Sequence, residues 1–380
     1  MKHLFLIALL YAPSLSAQKL SSETVELLKK ATQSQNYKPF LQLLHQHPAI
    51  VDATDDTDYN LLMIALMQEP APMPIIRELI KRTKDINHRD DQQETALMTA
   101  ARVGSAEAVE LLLARGAKVN VQDIDGNTPL SQAMILQNPR VIQLLLSHKA
   151  NVNTVDTDGD TPLCRAILHD RRNHQQTEKT VRLLLEHGAD IEGAAGTYCN
   201  TPLFNAVLSR NIPVTKVLLA HKANTEAMNQ DEQKTPLMFA ITMRKASEPR
   251  AKGYQETLLE LIKILLEARA NPNAMNDDGN TPLSFAIMYA DAPAVRELLA
   301  HGAVLKAMGP KGINPLSQAL RLQKDLATAK NSHLRNTPEN KHAIDEIVNM
   351  LLNASKLAAE PRAAQAEARA TRRHTKKRTL

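Results

Sequence analysis

Carboxylates alternating around a glycine are the raw material of a calcium loop, and the stretch Asp156-Thr157-Asp158-Gly159-Asp160 supplies them. An EF-hand loop needs its glycine at the sixth position and a bidentate glutamate at the twelfth. Counted from Asp156, Gly159 is fourth, Thr161 is sixth and the apolar Ile167 is twelfth. The spacing is that of a turn, where Asp and Gly serve as turn formers. Four histidines, His148, His187, His221 and His301, recur just before Lys149, Gly188, Lys222 and Gly302. Neighbouring packed helices sit about 10 Å apart, far beyond the ~2 Å reach of a metal-nitrogen bond, so shared ligation is not expected. Histidine at the end of a helix suits the partial negative charge there. Cys164 and Cys199 are read as two separate thiols, with a bridge requiring alpha carbons within about 7 Å. Gly-x-Ser-x-Gly, His-Glu-x-x-His and a glycine-rich phosphate loop are all missing from the sequence. The chain therefore reads as non-enzymatic, with no cofactor and no metal.

What positions these residues is a repeat. Thr-Pro-Leu recurs at Thr128, Thr161, Thr201, Thr235 and Thr281, with degenerate copies at Asn60, Thr95 and Asn314. Successive anchors lie 35, 33, 33, 40, 34, 46 and 33 residues apart, so a unit of 33 runs through eight copies with insertions. Each unit reads as polar turn residues, then Thr-Pro, a short apolar helix, and a second helix ending in Leu-Leu. Threonine suits a helix N-cap, and proline the first helical position, where its missing amide hydrogen would be unpaired anyway. Alanine stands five residues after every anchor: Ala65, Ala100, Ala133, Ala166, Ala206, Ala240, Ala286 and Ala319. That regularity predicts a seam too tight for a larger side chain. No unit can bury its apolar face alone, so the units must stack.

With turn, Thr-Pro-Leu, alanine and Leu-Leu-x-x-Gly-Ala all recurring in phase from about Asp52 to Leu352, the chain resembles the ankyrin-repeat family. The resemblance implies an all-α solenoid of about eight helix-turn-helix units with short hairpin turns, preceded by an N-terminal helical cap. Residues 18–51 would be the cap and 52–355 the array. One departure concerns the glycine often found nine residues after the anchor. Only Gly104 keeps it; the other copies carry Glu69, Gln137, Asp170, Arg210, Arg244, Ala290 and Gln323.

The two ends differ from this grammar. Residues 1–17, MKHLFLIALLYAPSLSA, combine Lys2, an apolar run and small residues before Gln18, the layout of a secretory signal peptide. The expectation is a secreted or periplasmic protein beginning near Gln18. Residues 356–380 carry eight Lys or Arg against two Glu, whereas the whole 380-residue chain is only +5. A basic C-terminal tail of this kind attracts acidic partners.

Two surfaces stand apart from the repeat grammar. Ile135, Leu136, Leu168, Leu208, Met243, Met288, Tyr289 and Leu322 lie at the end of helix one, seven or eight residues after their anchors. In ankyrin-like repeats that end lines the concave groove. The positions form either an exposed apolar strip that binds a partner protein or, if helix one runs on where the glycine is missing, part of the core. The second surface is a set of basic insertions between helices, containing Arg171, Arg172, Arg244, Lys245, Arg250 and Lys252. The leading expectation is an exported, monomeric scaffold that recognises a partner protein through turns and groove. The alternative is a binder of an anionic polymer, lipid surface or nucleic acid, held by the basic loops and tail.

Overall fold

The computed structural model describes residues 19–170, 173–193, 200–229, 233–245, 252–305, 313–328, 334 and 337–356. Residues 1–18 and 357–380, which include the expected leader and nearly all of the basic C-terminal segment, lie outside the described residues. The contacts divide the chain into two compact units, 1–197 and 198–380.

In the first unit the helices are α1 (Ser22–Ser34), α2 (Lys38–Gln46), α3 (Leu61–Leu66), α4 (Met73–Arg82), α5 (Ala96–Arg102), α6 (Ala106–Ala114), α7 (Pro129–Ala133), α8 (Pro139–Ser147), α9 (Pro162–Leu168) and α10 (His174–Glu186). In the second they are α11 (Pro202–Leu208), α12 (Ile212–Ala220), α13 (Pro236–Lys245), α14 (Lys252–Glu267), α15 (Pro282–Met288), α16 (Ala292–Ala300), α17 (Pro315–Ala327) and α18 (residues 338–356). From α3 onward the odd helices are the first of each pair and the even ones the second. Within each unit, first helices pack on first helices and second on second, the arrangement of a helix-turn-helix solenoid. The pair α1 and α2 continues this stacking onto α3 and α4, so the N-terminal segment is laid down like a further repeat.

All eight anchors are N-caps. The Asn60 side chain accepts from the Met63 amide at 2.9 Å, and Asn314 accepts from Ser317 at 2.8 Å. Thr128 and Thr281 form reciprocal capping boxes with Ser131 and Ser284. Thr95, Thr161, Thr201 and Thr235 cap in the same way. Each cap stabilises its helix by about 1 kcal/mol. The eight alanines five residues on are buried, as the tight seam requires.

The turns are closed by one side chain per repeat. Asp123 Oδ1 accepts from the amides of Asp125 (3.0 Å) and Asn127 (2.8 Å), and Asp156 Oδ1 from those of Asp158 (3.0 Å) and Asp160 (2.8 Å). Asp55, Asp90, Asn229 and Asn276 do the same elsewhere. Asp156 also receives Arg165 at 2.8 Å, so its carboxylate is committed to building the turn. Turns in the first unit join through backbone bonds, from Asp91 N to Thr57 O, Ile124 N to Gln92 O and Thr157 N to Asp125 O. At the opposite end of four repeats an asparagine bridges to the next, a place taken by Asp52 toward Lys84 N and by Glu226 toward Asn271 N in two others. Asn87 accepts from Lys118 N (2.7 Å), Asn120 from Asn151 N (2.8 Å), Asn153 from Asp190 N (2.8 Å), and in the second unit Asn273 from Val304 N (2.8 Å).

Candidate functional site

Where helix one stops decides what its last turn exposes. In four of the eight repeats the position nine residues after the anchor adopts the left-handed conformation, with φ 73° at Gly104, 51° at Gln137, 56° at Arg210 and 52° at Ala290, whereas Arg244 and Gln323 lie within their helices. Helix one stops before the bend in these four repeats, and of the side chains just before it Val103 and Leu136 stay at the surface. Leu136 is 46% exposed and Leu168 is 42% exposed. Met67 (40% exposed), seven residues after Asn60, and Val103 (36%), eight after Thr95, are exposed as well, and sequence reasoning passed over them because their anchors lack the proline. Thus α3, α5, α7 and α9, stacked in the first unit, present an aliphatic side chain each. Leu136 rests on Gly104: a Cβ built there would meet Leu136 Cδ1 at 3.3 Å.

The other positions expected on this strip are distributed differently. Ile135, Leu208, Met243, Met288 and Tyr289 are half-buried, and Tyr289 stacks on Phe285 with ring centroids 6.3 Å apart. Leu322 is a correction, because it is buried. Here α17 continues to Ala327, which turns Ala319, Leu322 and Leu326 inward on one face. Residues 338–356 fold back on that helix, with Gln323 Nε2 donating to Asp345 Oδ1 at 2.6 Å.

The electrostatics of the first unit are set by the turns beside the strip. Arg102, in the last turn of α5, reaches back to Glu94 at 3.0 Å, which puts the base of the turn and the end of helix one on one face. Burial pushes the Glu94 carboxyl above its ordinary range, and Arg102 opposes this. Burial likewise raises Asp90 and the Tyr59 phenol. Asp160, at the equivalent place two repeats on, is pushed up to about 6 by burial and then by the charge of Asp156. Along the tips, Asp56, Asp58, Asp91, Asp125 and Asp158 are exposed. Of the cations there, Lys19 pairs with Asp56, and Arg89 donates to the backbone carbonyls of Gln93 and Gln122.

The basic insertion is reshaped. Arg244 forms an ion pair with Asp291, with its Nη2 at 3.1 Å from Asp291 Oδ1, and also donates to the Gln255 carbonyl. Its side chain is largely covered, at 11% exposure, and Asp291 is at the same time the N-cap of α16. Arg244 thus ties two repeats together and does not present its charge to an anion. Arg171, Arg172 and Arg250 lie outside the described residues, and Lys245 and Lys252 are described by their backbone alone. The four histidines share one geometry: Nδ1 of His148, His187, His221 and His301 is 2.9 Å from the carbonyl of Leu144, Leu183, Val217 and Glu297, one helical turn back. They are helix C-caps. Among the described residues no group of three His, Cys, Asp or Glu is placed to hold a metal. Cys164 is buried, with its sulfur 3.2 Å from the Gly193 carbonyl, and Cys199 lies outside the described residues.

This geometry agrees with comparison to known proteins. The family model described as "Ankyrin repeats (3 copies)" matches residues 28–123, 118–195 and 251–330, well over half of the chain. The chain belongs to the ankyrin repeat family. Among curated proteins it is 31% identical over 123 residues to "Ankyrin repeat, SAM and basic leucine zipper domain-containing protein 1" of Dasypus novemcinctus, covering 32% of this chain and 24% of that one. It is 32% identical over 129 residues to ankyrin repeat protein FPV031 of Fowlpox virus (strain NVSL), covering 33% and 34%. The match thus spans about a quarter to a third of those relatives' length. Among solved structures, the human ASB11 ankyrin repeat domain aligns with a TM-score of 0.50 and 24% identity over 67% of this chain and 98% of that one. The ankyrin repeat domain of Bcl-3 aligns with a TM-score of 0.50 and 24% identity over 59% and 93%. Ankyrin repeats in general mediate protein-protein interaction and are typically non-enzymatic, and the helix-one strip is a surface suited to that.

Proposed function

We propose that this ankyrin repeat protein is an exported, monomeric, non-enzymatic scaffold that holds a protein partner on the first unit. The observation that carries the reading is the set Met67, Val103, Leu136 and Leu168, exposed aliphatic side chains seven or eight residues after the anchor in four consecutive repeats. Apolar surface in a contiguous row costs solubility and is a mark of an interface. Export rests on residues 1–17, whose charged start, apolar run and small residues fit a cleaved leader. The basic-edge alternative has less to support it, because Arg244 spends its charge on Asp291.

Position-dependent cross-linking tests the reading. A photoreactive residue is placed at Leu136 or, as a control on the second-helix face, at Glu110, which pairs with Arg140 at 3.6 Å. A partner protein cross-linked from position 136 and not from 110 supports the strip. Cross-linking from 110 alone, or equally from both, rejects it.

A further inference from the structure

The eighth repeat leaves open a face that every earlier repeat buries. Six residues after the anchor, the first seven repeats carry a side chain no more than 1% exposed, from Leu66 and Ala101 to Ile241 and Ile287. Leu320, six after Asn314, is 45% exposed. Two neighbouring positions behave alike. Three after the anchor, Met63, Met98, Met238 and Ser284 are buried while Ser317 is exposed; two after it, Leu203 and Leu283 are buried while Leu316 is half-buried. The reverse side of α17 is packed, with Gln318 Nε2 donating to the Ser284 carbonyl of the preceding repeat at 3.1 Å.

The second helix of this repeat extends the open face. Gln323 stands three residues beyond Leu320, on the same side of α17, and its Nε2 donates to the exposed Asp345 of α18 at 2.6 Å. Leu352, seven residues beyond Asp345 and so on the same side of α18, is 37% exposed. Ser317, Leu320, Gln323, Asp345 and Leu352 thus form one surface within the second unit, apolar at two points and acidic at one. We infer that the chain's own residues 361–373 lie across this surface as an end cap of the array. The inference is independent of the partner strip.

Connection, pattern and charge all point to this occupant. Helix α18 reaches residue 356, so four residues separate it from Pro361, the length of a short link between packed helices. From Thr95 on, the next anchor follows the first leucine of Leu-Leu by 16 or 17 residues; from Leu351 that count falls on Glu367 or Ala368, where no Thr-Pro-Leu stands. The segment is therefore not a ninth repeat. Its sequence has a different pattern: Pro361 suits a first helical position, and alanine, the best helix former, follows at Ala363, Ala364, Ala366, Ala368 and Ala370. Ala363, Ala366 and Ala370 share one helical face, small enough to seat on Leu320 and Leu352. Thirteen helical residues span about 20 Å, and α17 also has 13. Arg362 and Arg369 flank the alanine face and supply the charge opposite to Asp345. Two part-exposed leucines fall far short of the ~800 Å² per partner that a stable interface between separate chains buries. A segment tethered four residues away needs no such area, because its effective concentration is about millimolar.

The test is photo-cross-linking in the purified full chain, with a photoreactive residue placed at Ser317. Unlabelled and nitrogen-15-labelled chains are mixed in equal amounts before irradiation, and cross-linked peptides are read by mass spectrometry. The expected product joins position 317 to residues 361–373 of the same chain, without mixed-isotope pairs. The triple variant Ala363→Gln/Ala366→Gln/Ala370→Gln, which keeps the length and charge of the segment, is expected to lower its yield at least fivefold. Mixed-isotope pairs would assign the open face to a second copy and overturn the inference. So would the absence of any product with residues 361–373, or a yield that the triple variant leaves unchanged.

Discussion

Replacing Gly126 by alanine probes the stacking of turns that places the strip's neighbours. Gly126 has φ 78°, and a Cβ there would sit 2.9 Å from Asp156 Cα, 3.2 Å from Thr157 N and 3.3 Å from Asp156 C. The left-handed conformation costs an alanine about 1 to 2 kcal/mol. The overlap is with backbone of the following repeat, which cannot swing aside, and relieving it adds about 1 to 3 kcal/mol. Lower chain entropy in the unfolded state returns about 0.5 to 1 kcal/mol. The net cost is about 2 to 4 kcal/mol, with the bond from Thr157 N to Asp125 O, 2.9 Å long, the first to stretch. Gly188→Ala is the internal control: φ is 84° but nothing lies within 4 Å of the added atom. Its cost is therefore the conformational part only, about 1 kcal/mol. Urea denaturation followed by circular dichroism measures both, comparing midpoints of the first transition, since long repeat arrays need not unfold in one step. Equal midpoints for Gly126→Ala and Gly188→Ala would refute the close contact between successive turns.

At the same repeat position as Gly188, Lys149 holds φ 64°, so Lys149→Gly should stabilise the protein by about 0.5 kcal/mol and raise the denaturation midpoint, the left-handed strain relieved outweighing the added chain entropy. A lowered midpoint would contradict this. Asp160 binds its proton more tightly folded than unfolded, with a pKa raised to about 6 from the ordinary 3.8. The folded state therefore gains from protonation, and stability contributed by this group falls as pH rises from about 4 to about 6 and stays reduced above that. Asp160→Asn should stabilise the protein by about 1 kcal/mol at pH 7.5, a value discounted for partial exposure, and by nothing at pH 4. A gain independent of pH would show that another cause is at work.

Much of the fold was legible because its signals are local. An anchor residue, a proline and an alanine five positions on each act within one helix or one seam, and every copy repeats them. The end of helix one was not legible, because the left-handed bend is imposed by packing on Gln137, Arg210 and Ala290 as firmly as glycine would permit it. The same limit explains Leu322, whose burial depends on α17 running on and on residues 338–356 returning to cover it. Arg244 looked like loop charge because its partner, Asp291, belongs to the next repeat. The inter-repeat asparagines Asn87, Asn120, Asn153 and Asn273 could have been found, since they recur at one position in the sequence. Met67 and Val103 needed only the same counting rule applied to the degenerate anchors.

The central claim is that the first unit docks a protein on its helix-one strip, and the direct measurement is a thermal melt and a capture assay on one variant. In Leu136→Gln/Leu168→Gln each lost side chain is already close to half exposed, so each change should cost about 1 kcal/mol and lower the melting temperature by only a few degrees. Interface energy concentrates in a few apolar anchors, so capture of the partner cross-linked from position 136 should fall at least tenfold. That combination is the predicted result; a variant that melts nearly as before and captures as before, or one that loses fold and capture together, contradicts it.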